Sequence, residues 1–411
     1  MDSAGGNDSR TVEAALSAVD EGGAFHAYRV VELRARADAG GVHPAVLTFL
    51  RETGGPDTAG ARVVTGACAL GAGWAALDQA LAYARSRVRR GASPDDHHTH
   101  RLIVPHAVRL EAARAALEAT AARIDAGNRS PADGASRSQA DAGDRSGAGG
   151  PASGLVSPPG PGTGLDTDGA IAAYLAVEAG AAAHAAVAAY GGPDPVIPAT
   201  WTCGGQAWVL GIARDRLRAY AGTAGRFHRD LAAALGRLPA DSGAPTAALA
   251  LDCLAALLDG AESPRPGWGE LVASAEAAGW LARRAVAAAA GALPAAADRG
   301  FAPAGCAALS RIFARQAALA VAEETLRRAP GPVRPGHRPE RDAPPPGLAE
   351  RVGLAERVGL AERVGLAERV GLAERIGLLD RARAAQAGLF ADLDTVAAAL
   401  AVRAVEPVTA S

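Results

Sequence analysis

The chain contains no lysine: all 42 of its basic residues are arginine, which we read as genome base composition rather than as a functional device. Aromatic residues make up only 4% and there is a single methionine, so large core anchors are scarce. Much of the 49% hydrophobic fraction is alanine, leaving Leu, Val and Ala as the core formers. Alanine has the best helix propensity and loses no side-chain entropy, so this composition favours helices packed closely together. A net charge of −2 removes the electrostatic footprint of a nucleic-acid binder. The four cysteines, Cys68, Cys203, Cys253 and Cys306, form no CxxC pair, so their spacing indicates neither a zinc site nor a disulfide framework. The first residues, MDSAGGNDSR, lack the charged start and apolar run of a signal peptide. The longest apolar run, Ala170 to Gly192, is mostly alanine and contains Glu178 and His184. It is too weakly hydrophobic for a span of about 20 strongly apolar residues. The expectation is a soluble, cytoplasmic, mostly helical protein with no membrane span; its 411 residues are enough for about two or three domains.

Helical spacing is plain in the first half. Val63, Leu70, Trp74, Leu77 and Leu81 share one face of a helix expected over about 58–90. Gly66, Gly71 and Gly73 on it would permit close approach of a neighbouring helix. Ile103, Leu110, Leu117 and Ile124 mark a second helix, with Pro105 near its start and Gly127 closing it. A third runs from about 168 to 189 and stops at Gly191-Gly192-Pro193. A fourth covers about 205–220, and Phe227, Leu231, Leu235 and Leu238 mark a fifth. Helices without a period-two segment predict an all-α bundle.

Residues 1–57 read as an N-terminal helical segment and 58–240 as the bundle. The Gly, Ser, Pro, Asp and Ala-rich stretch 128–168 reads as a disordered insertion. A second helical block is expected over 245–330, where Leu309, Ile312, Leu319 and Leu326 form a stripe. A Pro/Arg-rich linker, 331–346, follows. GLAERV then recurs four times from Gly347, followed by GLAERI and GLLDRA, to residue 382; a C-terminal helix and tail occupy 383–411. A six-residue period turns each unit by about 240° on a helix, so Leu348, Leu354 and Leu360 face three directions and no stripe forms. The repeat therefore reads as a marginal helical spacer.

Asp95, Asp96, His97, His98 and His100, with His106 beyond, are metal-ligand residue types. They read as a solvated loop before the second helix, because adjacent residues rarely all reach one ion, and no metal site is assigned. His184 and His228 read as packing or surface histidines. No GxSxG, Walker A, HExxH or dinucleotide fingerprint is present. Residue chemistry alone names no reaction.

The order of segments is more informative. Residues 61–91 resemble the first helix of the C-terminal domain of acyl-CoA dehydrogenases, which ends in an RxxFG motif; Arg87 and Gly91 match it, with Arg90 at the phenylalanine position. RLEAARAALEATAARIDAG is similar to that family's second helix. AVAAYGG stands where the family has QxxGG, keeping Gly191 and Gly192 with Ala188 at the glutamine position. RDRLRAYAGTAGRFHRDLAAAL stands where it has an arginine-rich helix, the YEGT turn and the last helix. The resemblance covers about residues 60–238. It implies a helical bundle of acyl-CoA dehydrogenase C-terminal type and FAD-dependent oxidation of an acyl-CoA thioester to the 2,3-enoyl product. It also implies Arg87, Gly191, Gly192, Gly222 and Thr223 as cofactor-binding positions. Arg87 would act across a subunit interface, its planar fork suiting a pyrophosphate.

The departures shape the expectation as much. The family's glutamate base precedes the Gly-Thr of YEGT, where this chain has Ala221. The alternative base position on the first helix is about Ala61, next to Arg62. Alanine cannot take a proton, so no catalytic residue is assigned. The family's N-terminal helical domain and central β domain, with their flavin-contacting segments, are not recognisable in residues 1–60. The chain is thus expected to be a divergent or truncated dehydrogenase subunit, working in a homo- or hetero-oligomer with a flavin-bearing partner. The alternative is a non-catalytic helical scaffold or interaction protein that binds no flavin.

Overall fold

The structure, a computed structural model, describes residues 59–89, 96–128, 164–189, 199–223, 225–293, 300–328 and 371–403. The N-terminal segment, the Pro/Arg-rich linker, the repeat units before 371, and Gly191 and Gly192 lie outside these. Among the described residues there are helices and turns and no strand, so the chain is all-α as expected.

The first bundle consists of α1 (Ala59–Arg89), α2 (Asp96–Asn128), α3 (Leu165–Ala189) and α4 (Ala199–Thr223). The stripes read from the sequence are its core: Val63, Leu70, Leu77, Ile103, Leu110, Leu117 and Ile171 are buried. α1 and α3 run parallel in intimate contact, because small residues face each other. A Cβ on Gly73 would lie 2.9 Å from the Cα of Gly180, and one on Gly66 would lie 3.1 Å from that of Ala173. Gly66 and Gly73 therefore do permit close approach. α2 runs antiparallel to α1, with Leu110 against Gly73 and Leu117 against Gly66. α3 is long and apolar enough to cross a membrane by length and composition, yet it packs on α1, α2 and α4 as a core helix.

Four boundaries differ from the sequence reading. α4 begins at Ala199, ahead of the start expected near 205. Asp96 to His100 are the opening residues of α2 rather than a loop, and Pro105 lies inside the helix. An acidic residue at a helix N-terminus complements the macrodipole, which favours this early start. Residues 165–168 belong to α3, with Thr167 and Asp168 buried, whereas the rest of the stretch read as an insertion, 129–163, lies outside the described residues. α5 ends at Leu235, leaving Leu238 in the turn that follows.

The second block consists of α5 (Arg226–Leu235), a 3-10 turn (Ala240–Ser242), α6 (Ala244–Leu258), α7 (Trp268–Ala289) and α8 (Pro303–Arg327). It shares one continuous core with the first bundle. α7 is the element between them, lying on α2 and α4 on one side and on α6 and α8 on the other. Its Arg284 reaches α2: Nε donates to Glu118 Oε2 at 2.8 Å, and NH1 lies 3.4 Å from Glu111 Oε2. Arg114 Nε completes this cluster by donating to Glu111 Oε1 at 2.8 Å. Burial alone would lower the proton affinity of Arg284, but Glu111 and Glu118 outweigh it and hold the guanidinium charged. Cys306 lies at the edge of the cluster as a free thiol, which burial pushes up to about 11 and makes unreactive.

The last two repeat units are not a spacer. Residues 371–384 form α9, which buries Leu378, Leu379 and Ala382, followed by α10 (Leu389–Arg403). The degenerate unit GLLDRA supplies a paired leucine that the GLAERV units lack. Asp392 of α10 fastens this hairpin to α8: Arg311 Nε donates to it at 3.0 Å, and Arg315 NH1 pairs with its other oxygen. Arg315 also donates to the carbonyls of Ala385 and Ala387. Burial would raise the Asp392 carboxyl, but the hydrogen bonds from Arg311 and Arg315 prevail and hold it below the usual range. Its contribution is thus complete above the unfolded value of about 4 and is lost as pH falls through the lower folded value. Amide exchange over 371–403 should accelerate on acidification below about pH 4 ahead of the bundle core. Asp392→Asn should reproduce that acceleration at neutral pH; unchanged protection in the variant would refute this role.

Candidate functional site

The described positions among those singled out by resemblance, Ala61, Arg87, Ala221, Gly222 and Thr223, sit at the two ends of the first bundle. At one end the N-terminus of α1 meets the N-terminus of α3, where Arg62 NH1 donates to the Asp166 carbonyl at 2.7 Å. The second half of α4 arrives beside them, with Thr167 donating to Asp215 at 3.3 Å. Ala61 and Ala221, the two alternative base positions, therefore belong to the same end. Arg87 lies in the last turn of α1, at the other end. With a rise of 1.5 Å per residue, Arg87 and Thr223 are on the order of 40 Å apart along the bundle.

Residues 220–223 close α4. Ala221, Gly222 and Thr223 are exposed, and a Cβ on Gly222 would meet open space. The Thr223 hydroxyl donates back to the Ala219 carbonyl at 2.9 Å. Gly225, at φ 73°, turns the chain into α5; its amide donates to the Tyr220 carbonyl at 2.9 Å, and a Cβ there would lie 2.8 Å from the Tyr220 ring. Tyr220 donates to Asp259 Oδ1 at 3.1 Å, and burial together with Asp259 raises its phenol.

Beneath this turn lies a buried charged network that sequence reasoning missed. Arg216 of α4 donates through Nε and NH2 to the two oxygens of Glu276 on α7, both at 2.8 Å. Its NH2 also reaches Asp168 of α3 at 2.5 Å, and Arg123 of α2 pairs with the second Asp168 oxygen. His228 of α5, fully buried, places Nε2 at 3.4 Å from Glu276 and packs edge-on against Phe227. Burial would raise the Glu276 carboxyl, but Arg216 and His228 outweigh it and hold it below the usual carboxylate range. The available signal was Asp166 and Asp168 preceding an apolar run, an acidic first turn of the kind that opens helices.

A general base needs a carboxylate that can reach a substrate proton. Asp168 and Glu276 are buried and fixed on arginines, and Asp259 is engaged by Tyr220, so none replaces the missing glutamate. Among the described residues, the exposed turn carrying Gly222 and Thr223 and the helix turn carrying Arg87 lie at opposite ends of the bundle. Gly191 and Gly192 lie outside the described residues. Among the described residues no group of His, Cys, Asp and Glu could hold a metal ion.

No curated protein and no solved structure matches the chain. A protein-family model does match, over a segment that takes in α1 and α2 of the first bundle. The helix pair carrying Arg87 and the α2 cluster is thus the best-supported part of the resemblance, while the landmarks from α3 to α5 rest on the sequence likeness. Residues 58–138 are similar to the C-terminal domain of acyl-CoA dehydrogenase, the family that this segment matches.

Proposed function

We propose that the chain is an acyl-CoA dehydrogenase-like component that acts with a flavin-bearing partner in oxidising an acyl-CoA thioester to its 2,3-enoyl product. The observation that carries this reading is the exposed turn at Ala221, Gly222 and Thr223, set on an intact bundle whose first two helices match the family. FAD, when bound, would accept the hydride; this chain's residues supply a helical wall, and the base comes from the partner. Homo- or hetero-oligomerisation would bring opposite ends of two bundles together, and since every copy of this chain has Ala61 and Ala221, the base requires a flavin-bearing subunit of different sequence in the assembly. The rival reading, a helical scaffold that binds neither flavin nor acyl-CoA, is favoured by alanine at both base positions.

Absorption spectroscopy separates the two. Protein purified from its native host with its partners should carry a flavin band stoichiometric with the chain. A colourless preparation, unchanged by added FAD and by candidate partners, would reject the dehydrogenase reading. A coloured complex should lose its flavin when Arg87 is replaced by alanine, with the melting temperature of the isolated chain unchanged.

A further inference from the structure

A concavity lies on the α6 side of Tyr220. It has a volume of about 410 Å³, within the size range of small-molecule sites. Its lining comes from four places: Tyr220 on α4, Arg229 on α5, Asp252 and Asp259 at α6 and its C-terminal turn, and Glu374, Arg375 and Arg381 on α9, so that three guanidiniums and three carboxylates line the cleft. The last two repeat units, GLAERI and GLLDRA, thus supply one side of it, and each contributes its arginine.

The lining is too polar for an acyl chain, which would leave these charges without water or partners. Two features point to an anionic ligand. Guanidiniums reach the cleft from separate elements, α5 and α9, and a guanidinium offers the planar fork that matches a phosphate. Beside the cleft, Arg328 stacks over Trp268 at 5.3 Å. Its proton affinity is lowered by burial and by the nearby Arg375 and Arg265, which Asp259 and Tyr220 offset only in part, and a bound anion would relieve that crowding of like charge. The carboxylates point to hydroxyl groups on the same ligand. Tyr220 occupies Oδ1 of Asp259. Asp252 is half-buried with Arg381 as its opposing charge, and burial raises its carboxyl. Carboxylate oxygens in such a site accept hydrogen bonds from ligand hydroxyls, as they do wherever sugars are read by aspartate.

We propose that this cleft binds a small phosphorylated polyol, with Arg375 and Arg381 on the phosphate and Asp252 and Asp259 accepting from its hydroxyls. The assignment is independent of the flavin reading, since it concerns the second block and the end of the repeat. Calorimetric titration of the full chain with ribose 5-phosphate, ribose and inorganic phosphate tests it. Ribose 5-phosphate should bind saturably, and more tightly than either of its parts. Arg375→Ala and Arg381→Ala should each weaken that binding by about tenfold or more. Asp252→Asn should weaken ribose 5-phosphate while leaving inorganic phosphate unaffected. Arg327→Ala, at an exposed arginine of α8, should change nothing. Arg375→Lys keeps the charge without the fork and guards against loss of folding; it should bind less tightly than the parent chain while melting at the same temperature. Absence of saturable binding, equal affinity for ribose 5-phosphate and inorganic phosphate, or indifference to the folded arginine variants would each overturn the proposal.

Discussion

Replacing Glu276 with alanine should destabilise the protein by about 3–5 kcal/mol, the usual cost of removing one partner from a buried ion pair. Arg216 would lose both of its 2.8 Å bonds to that carboxylate and would share Asp168 with Arg123 in a site closed to water. Urea denaturation of the full chain measures the loss. Glu276→Gln, which keeps the shape and removes the charge, should fall between the two. The double variant Arg216→Met/Glu276→Leu should recover much of the loss, because an apolar pair of similar volume replaces a buried ion pair at little cost. If the single variant matches the parent chain within about 0.5 kcal/mol, the network is not structural. The pH dependence follows from the depressed carboxyl of Glu276: its contribution is complete above the unfolded value and disappears as pH falls through the folded one.

Gly269→Ala should be nearly as costly, for a steric reason. Gly269 opens α7 directly over α4, and a Cβ there would overlap the Val209 carbonyl, its carbon 2.7 Å away. Because the obstacle is backbone, no rotamer change relieves it, and the penalty should reach the upper end of the about 1–3 kcal/mol typical of overpacking. Gly279 lies nearly three turns further along the same helix. A Cβ there meets only the tip of Leu235 at 3.2 Å, and alanine also has the better helix propensity. Gly279→Ala should therefore be tolerated. Equal stability of the two variants would show that α7 does not press on α4 at Val209.

The parts of the fold that were legible in the sequence are those carried by a stripe of large residues. Leu70, Leu77, Leu110 and Leu117 repeat at helical spacing, and all four are buried where the stripe required. The start of α2 is hidden in the sequence because Asp96 to His100 are all polar and so carry no apolar stripe. Asp168 was assigned to the insertion because the loop composition runs up to it without a break. The network around Arg216 was illegible for another reason: Arg216 and Glu276 lie 60 residues apart, and nothing local in either helix names the other. The end of the repeat was misread because its period was judged as a whole, whereas Leu378 and Leu379 come from the one unit that departs from it.

The geometry of α7 bears on how such a chain could have arisen. One helix answers the buried carboxylates of α2 with Arg284 and the buried arginine of α4 with Glu276. A gene ending near residue 240 would encode a bundle with Arg216, Glu111 and Glu118 stripped of these counter-ions, and a gene for the second block alone would carry Glu276 and Arg284 in the same predicament. Recombination between the two halves is therefore penalised in both descendants. What reads as a boundary in the sequence is a seam of buried ion pairs that costs stability to open.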